Sequence, residues 1–482
     1  MPTTCCPTSN RNARQSQRVM VNDMHSQLNP TLVSQIVRPL SLEALCGAII
    51  EARRRGAAIC VAGGRHAMGG QQFAHDAVLI DLRGINRVLR LDLETGLVEV
   101  EAGIVWPELV EWLVAAQRGQ RWQWGIAQKQ TGCDRLTLGG ALAANAHGRG
   151  LRMPPLIGDV ESFTLVDADG DVHRCSRAEN VELFRLAIGG YGLFGVISAV
   201  TLRLTRRQKL QRVVEIVEVD DLMAGFEKRI ADGCRYGDFQ FAIDDEAGDF
   251  LRTGVFSCYR PVGDATPIPA RQKELAEADW RELLYLAHTD KTEAFRRYAA
   301  HYRATSGQIY WSDTHQLSVY VEDYHREVDE RTGGPRATEM ITEVYVPRDR
   351  LVDFMTEART YFLRHQVNLI YGTIRLIERD GESCLAWAKQ AYACIIFNLH
   401  TEHTPEALAH AAATFRALID MAIRRDGSFY LTYHKFATRA QVTACDPEFR
   451  EFLRRKQEFD PEERFQSDWY RHYRRLFAED AI

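Results

Sequence analysis

Val181-Glu-Leu-Phe-Arg-Leu-Ala-Ile-Gly-Gly-Tyr-Gly-Leu-Phe-Gly-Val-Ile197 contains the string Gly190-x-Gly192-x-x-Gly195, and the context of that string decides the fold. A dinucleotide-binding fingerprint with this spacing needs a strand before it and a helix after it. Here the order is reversed. A helix-like segment, 181–188, precedes the glycines, and a strand, 196–204, follows them. A nicotinamide site of the Rossmann type is excluded, and the chain carries no Gly-x-x-x-x-Gly-Lys-Ser/Thr phosphate loop.

Working outward, two more glycine clusters lie upstream: Ala62-Gly-Gly-Arg-His-Ala-Met-Gly-Gly70 and Thr137-Leu-Gly-Gly-Ala-Leu-Ala-Ala-Asn-Ala-His-Gly148, with Gly103 alone between them. Glycine lets backbone N–H groups turn inward toward an anion, so such turns can cradle phosphate. Two in one domain suit the two phosphates of a dinucleotide, whereas any one alone reads as an ordinary tight turn. The elements around them are short. Segment 40–56 predicts a helix, with Ser41 as N-cap and Arg53, Arg54 and Arg55 in the last turn before Gly56. A strand over 57–62 runs into the first glycine turn. Segment 88–100 predicts a hairpin about the Asp92–Gly96 turn, and a second hairpin turns at 167–171. From about 209 to 425 the character changes, with charged helices over 271–304 and strands over 340–346, 370–377 and 393–399. A strand over 429–433 and a short polar helix are expected to close the chain.

Composition limits the possible functions. The chain has 482 residues, 45% hydrophobic and 26% charged, long enough for two or three domains. A net charge of −5 argues against a nucleic-acid partner. No apolar run approaches the ~18 residues of a membrane-spanning helix. The polar start lacks the apolar core of a secretory signal, and Cys5–Cys6 does not read as a lipid anchor. The 11 cysteines are scattered, which predicts reduced thiols and a cytoplasmic location. No Gly-x-Ser-x-Gly elbow supports hydrolase chemistry. His400-Thr-Glu-His403 has no third ligand at metal spacing, so it reads as a strand end with two exposed histidines, and no metal is expected. The basic runs 454–456 and 471–475 read as solvated helix faces.

The turn bearing His66, the Thr137–Gly148 cluster and Gly190-Tyr-Gly-Leu-Phe-Gly-Val-Ile197, in this order and spacing, resemble the FAD-binding domain of the vanillyl-alcohol oxidase / p-cresol methylhydroxylase (PCMH) superfamily. The likeness covers roughly 35–205. It returns at Phe429-Tyr-Leu-Thr-Tyr-His-Lys435 and Lys456-Gln-Glu-Phe-Asp-Pro-Glu462. The resemblance implies an α+β fold: a PCMH-type FAD-binding domain of two α+β subdomains, plus a substrate (cap) domain with an antiparallel sheet flanked by helices. The expected organisation is a flexible tail over 1–30, the FAD domain over 31–208, the cap over 209–428, and a segment over 429–482 that closes the site and returns to the FAD domain.

By the same resemblance, the turn Gly63, Gly64, Arg65, His66, Ala67, Met68, Gly69 would wrap the pyrophosphate. Thr137, Gly139 and Gly140, with His147 and Gly148, would line the flavin, and Gly192 and Ile197 would sit near the adenosine or the ring edge. Gly103, Gly132 and Asn145 complete the expected FAD contacts. His66 stands where covalent members carry the histidine bonded to the flavin 8α carbon; alternatively it only stabilises the turn. Cys133, six residues before Gly139, stands where berberine-bridge-type members carry a second link, or is a small buried thiol.

In the cap, Thr342-Glu-Val-Tyr-Val-Pro-Arg348 resembles the strand that places a Glu or Gln beneath the flavin in sugar-alcohol and aldonolactone oxidases and decaprenylphosphoryl-ribose oxidase. Glu343 and His434 are thereby candidates for proton handling, and Arg375 and Lys435 for orienting substrate or balancing flavin charge. Glu343 could instead belong to a surface ion pair, and Arg375 could simply bridge strands. The implied activity is hydride transfer from a sugar-like or polyol CH–OH to FAD, with O2 as acceptor and a small molecule as substrate. Alternatives are amine oxidation or oxidative cyclisation, a nicotinamide-dependent reductase, and a flavin-binding protein without catalysis.

Overall fold

The computed structural model describes residues 18–319 and 321–478. The helix expected over 40–56 is Leu42–Arg54, capped by Ser41, whose side chain accepts from the Ala44 N–H. It buries Leu45, Ile49 and Ala52, one stripe at helical spacing, against a parallel sheet of Gln35–Val37, Val78–Asp81 and Ile59–Ala62.

Both hairpins form where their turns placed them, Val88–Asp92 with Leu97–Glu101 and Val160–Val166 with Val172–Ser176. They join through Val196–Arg203 into a five-stranded antiparallel sheet. Helix Val181–Ala187 does precede the glycines and strand Val196–Arg203 does follow them, so the order that excluded a Rossmann site is the order observed.

The second half builds an eight-stranded sheet, antiparallel throughout. Its central strands are Ala337–Pro347, Tyr392–Glu402 and Leu369–Ile377, with Glu343 opposite Ile396 and Ile396 opposite Thr373. Side chains alternate across a strand. Val344, Ile395, Phe397 and Ile374 therefore face the core with Phe354, Phe362 and Phe415, while Ile341, Glu343 and Ile396 face the other way. Two helices, Glu277–Thr289 and Lys291–Ala304, cover that second face in part.

Four expectations require correction. Residues 18–30 are not a loose tail: Val19–Val21 pairs with Thr31–Val33, and Asp23 accepts from the backbones of His25 and Ser26. Residues 1–17 lie outside the described residues. The strand expected over 429–433 is only Ser428–Phe429, because the chain turns away at Leu431.

The closing segment is not one polar helix but Arg439–Cys445, Phe449–Phe459 and Asp468–Ala478, which bury Phe449, Phe452, Trp469 and Tyr473. It returns to the first half: Ile59 N–H donates to the Arg464 carbonyl (2.6 Å) and Gln466 N–H to the Ile59 carbonyl (2.8 Å).

Lys456, expected on a solvated face, is 0% exposed and paired with Asp460, itself 2% exposed, at 2.5 Å. Asp460 also accepts from the Arg464 and Phe465 N–H groups, so it anchors the turn that reaches the parallel sheet. Lys456→Met is expected to cost about 3–5 kcal/mol by stranding the Asp460 charge, read as a lower denaturation midpoint in urea. An unchanged midpoint would show the pair to be dispensable. Among the described residues no helix is long and apolar enough to cross a membrane.

Candidate active site

Strand Ile59–Ala62 ends at Gly63 and Gly64 because no side chain fits there. A Cβ on Gly63 would overlap Thr137 Oγ1, and one on Gly64 would overlap the Arg135 carbonyl. The two glycine-rich segments are thus pressed together, although 74 residues separate Gly63 from Thr137 in sequence. Thr137 caps the short helix Leu138–Ala143, its hydroxyl accepting from the Gly140 N–H.

Between these turns opens a cavity of about 960 Å³. It runs from residues 63–68 past Gly132, Cys133, Thr137, Gly139 and Gly140 to Gly192 and Ile197, then beneath the eight-stranded sheet. Of the expected FAD contacts, Gly63, Gly64, Arg65, His66, Ala67, Met68, Gly132, Cys133, Thr137, Gly139, Gly140, His147, Gly192 and Ile197 line it. Gly69, Gly103, Asn145 and Gly148 do not, and each has another task. A Cβ on Gly69 would strike the Tyr433 carbonyl, one on Gly103 the Leu82 carbonyl, and one on Gly148 the Lys129 carbonyl. Asn145 is a buried brace, donating to Asp380 (2.9 Å) and accepting from the Ile157 N–H (3.0 Å).

Glu343 is the chemical centre of the sheet face. It is 2% exposed and lies 2.6 Å, Oε1 to Nε2, from His147 of the glycine-rich half. Oε1 also accepts from Tyr345 (2.5 Å) and Cys394 (3.2 Å), and Oε2 accepts from Tyr433 (3.0 Å). Burial pushes the carboxyl up, but pairing with His147 and the hydrogen bonds from His147, Tyr345 and Cys394 outweigh it and hold the group at about 2. Glu343 is therefore ionised at neutral pH, in a buried ion pair across the two halves and not a surface one. The His147 Nδ1 faces the Gly148 carbonyl at 3.1 Å, which fixes the ring.

Arg375 shares this face and lines the cavity, its Nε buried without a hydrogen-bond partner among the described residues. Asn398 Oδ1 is in the same condition on the same cavity wall, and Asp238 Oδ1 there has no hydrogen bond, only the Arg149 guanidinium 3.6 Å away. Buried polar atoms are normally paired, so these three mark places for polar groups of a bound molecule.

His66 lies at the other end. Burial, with His25 nearby, lowers its imidazole to about 3, so the ring is neutral, one nitrogen carrying the proton. Its Nδ1 is 3.0 Å from His25 Nε2, and His25 Nε2 is 3.7 Å from Cys133 Sγ. Burial pushes the Cys133 thiol up to about 12.

His434 and Lys435 do not line the cavity. Because the strand stops at Phe429, the turn that follows directs Tyr433 to Glu343 and sends its neighbours elsewhere. His434 stacks on Phe436 (ring centroids 5.4 Å, 14°) beside Phe415, and Lys435 packs under the Gly70 turn near Asp468. Burial lowers His434 to about 4. Its unfolded value is near 6.5, so the unfolded chain takes up this proton first and stability falls as pH drops from about 6.5 toward 4. His434→Phe is expected to remove that component, leaving the variant roughly 1–3 kcal/mol more resistant than wild type at pH 4 and little changed at pH 7. Parallel pH–stability curves for the two proteins would contradict this.

Tyr433 and Tyr345 stand within the quoted segments 429–435 and 342–348 without being singled out there, and no local motif marks Cys394 or His25. The resemblance of Thr342–Arg348 to a family strand is the signal that pointed at this face.

The fold and cavity define a cofactor-binding protein in which a glycine-lined channel leads to a buried carboxylate. Residues 33–176 match the family described as FAD binding domain. The L-gulono-1,4-lactone dehydrogenase of Mycobacterium tuberculosis is 32% identical over 201 residues, 39% of this chain and 44% of that protein. The L-gulonolactone oxidase of Bos taurus is 31% identical over 175 residues, 36% and 38%. Cytokinin dehydrogenase 9 of Oryza sativa subsp. japonica is 28% identical over 166 residues, 34% and 30%. The alignments thus span less than half the length of each relative.

The residues present fit FAD. The first turn and Gly139–Gly140 leave backbone open to the cavity, and Arg65 Nε and Gln72 Oε1 are buried on its wall with no hydrogen-bond partner among the described residues.

Proposed function

We propose that the chain is an FAD-dependent oxidoreductase that oxidises a CH–OH group of an aldonolactone, sugar or polyol. The observation that carries this is the ionised Glu343, held by His147 and Tyr433 on the wall of the same cavity that the FAD-binding turns line. Residues 31–208 hold the cofactor, 209–428 supply the substrate wall, and 429–482 close the site through Tyr433.

Bound FAD supplies the hydride acceptor. Oε1 of Glu343 is occupied by His147, Tyr345 and Cys394, whereas Oε2 has only Tyr433 among the described residues and keeps a lone pair for a substrate hydroxyl. As hydride leaves the carbinol carbon, positive charge builds there and the hydroxyl becomes strongly acidic. Even a carboxylate held at about 2 is ample base for that proton, and its fixed charge stabilises the developing cation. Arg375, Asn398 and Asp238 orient the remaining hydroxyls, which supplies the hydrogen bonds that Arg375 Nε, Asn398 Oδ1 and Asp238 Oδ1 lack. His66 would tether the flavin through a ring nitrogen, and O2 would reoxidise it.

The relatives named for L-gulonolactone support an aldonolactone as the first substrate to try. Turnover of aldonolactones or polyols with matching peroxide release is the expected outcome of a screen with FAD-loaded protein. Turnover confined to amines would move the assignment to the second function, amine oxidation or oxidative cyclisation. That second function draws on Cys133, whose sulfur lies within 4.8 Å of the His25 and His66 ring nitrogens and could carry a second flavin link. The high position of its thiol, about 12, weighs against it.

A further inference from the structure

Beyond Glu343 along the same strand, Glu339 faces the same side of the sheet, four residues and roughly 13 Å away. It is 4% exposed, and three histidines from three other elements surround it. His400 is its cross-strand neighbour. His288 comes from helix Glu277–Thr289, with Nε2 2.9 Å from Glu339 Oε1. His325 comes from helix Tyr324–Thr332, with Nε2 2.9 Å from Glu339 Oε2. The ligand atoms of His288, Glu339 and His400 all lie within 4.8 Å of one another. The exposed strand end expected at His400 and His403 is therefore corrected. Both are half-buried, and His288, from a helix more than a hundred residues upstream, joins His400 at Glu339.

Two details point to a cation. His288 Nδ1 sits 2.7 Å from the Leu284 carbonyl, one helical turn back, so Nδ1 carries a hydrogen. Nε2 is thereby turned toward the Glu339 carboxylate at 2.9 Å, a gap bridged either by a proton on a charged ring, as between His147 and Glu343, or by a metal ion. This backbone contact is also the one that orients metal-bound histidines. Second, His400 Nδ1 is buried with no hydrogen-bond partner among the described residues.

We propose that His288, His400 and Glu339 bind one divalent transition-metal ion of the zinc class. Two imidazoles and one carboxylate match the donor preference of such an ion, where calcium and magnesium would want oxygen alone. The ion would fasten the first helix to the sheet, and His325 holds the second there through Glu339 Oε2. Leu283, Leu284 and Ala287 of the first helix and Tyr324 of the second also line the main cavity, so the site sets how firmly these helices close over it.

The test is calorimetric titration of Zn2+ into chelator-treated, FAD-loaded protein, with metal content counted by mass spectrometry after dialysis. One equivalent per chain is expected, and binding should weaken by more than about 100-fold in His288→Ala and in His400→Ala. His403→Ala is the control expected to bind like wild type, since its Nε2 is engaged with Thr338 Oγ1 at 2.9 Å. If wild type takes up no stoichiometric metal, the cation is a proton and the cluster is a His288–Glu339 ion pair. That outcome overturns the proposal without any variant having to fold. Undiminished binding in both alanine variants overturns it as well.

Discussion

Glu343→Gln is expected to lower substrate oxidation by about 10²–10⁴-fold while FAD binding persists. Gln keeps the shape and still accepts one hydrogen bond, but it can neither take the hydroxyl proton nor balance charge on the carbinol carbon. The loss should fall on the rate of flavin reduction more than on substrate affinity, because the carboxylate acts hardest in the transition state. His147→Gln is the informative companion. It removes the partner at 2.6 Å that stabilises the ionised form, so burial would raise Glu343 from about 2 and bring its titration into the activity profile. Wild type should therefore hold its activity to lower pH than this variant. Full activity in Glu343→Gln would move the proton acceptor elsewhere.

The second large effect concerns His66. Acid-precipitated wild-type protein should keep its yellow colour in the pellet, and His66→Ala should release all of it as free FAD. The neutral imidazole, its Nδ1 3.0 Å from His25 Nε2, would bond the flavin 8α carbon as an 8α hydrogen leaves as a proton and the electron pair passes to the flavin, from which O2 would remove it. Turnover in His66→Ala should fall on the order of tenfold, about 1.4 kcal/mol of barrier. Colour retained in the variant pellet would assign the link to Cys133. Colour released from wild type would leave the pocket as a non-covalent FAD site.

Much of the fold was legible because its signals are local. The glycines at 63–64 and 139–140, the Asp92–Gly96 turn and the Ser41 cap each specify backbone within a few residues, and each element formed where expected. The resemblance of Thr342–Arg348 to a family strand likewise pointed to Glu343, which lines the cavity. What failed depended on where a strand ends or on distant partners. The sheet stops at Phe429, so Tyr433 takes the place assigned to His434 and Lys435. Lys456 looked solvated because Asp460, which pairs with it, reads as another surface charge. His25 came from a segment with no periodicity, and only its fold against residues 31–33 brings it to His66. The cluster about Glu339 gathers residues spread over more than a hundred positions. No spacing rule finds it.

The most direct measurement is anaerobic mixing of the FAD-loaded protein with an aldonolactone and a panel of polyols while the yellow flavin band is recorded. Bleaching by at least one of these substrates, rapid in wild type and slowed by about 10²-fold or more in Glu343→Gln, is the predicted result. A protein that binds FAD but is bleached by none of these alcohols would contradict CH–OH oxidation, and one that takes up no FAD would contradict the site itself.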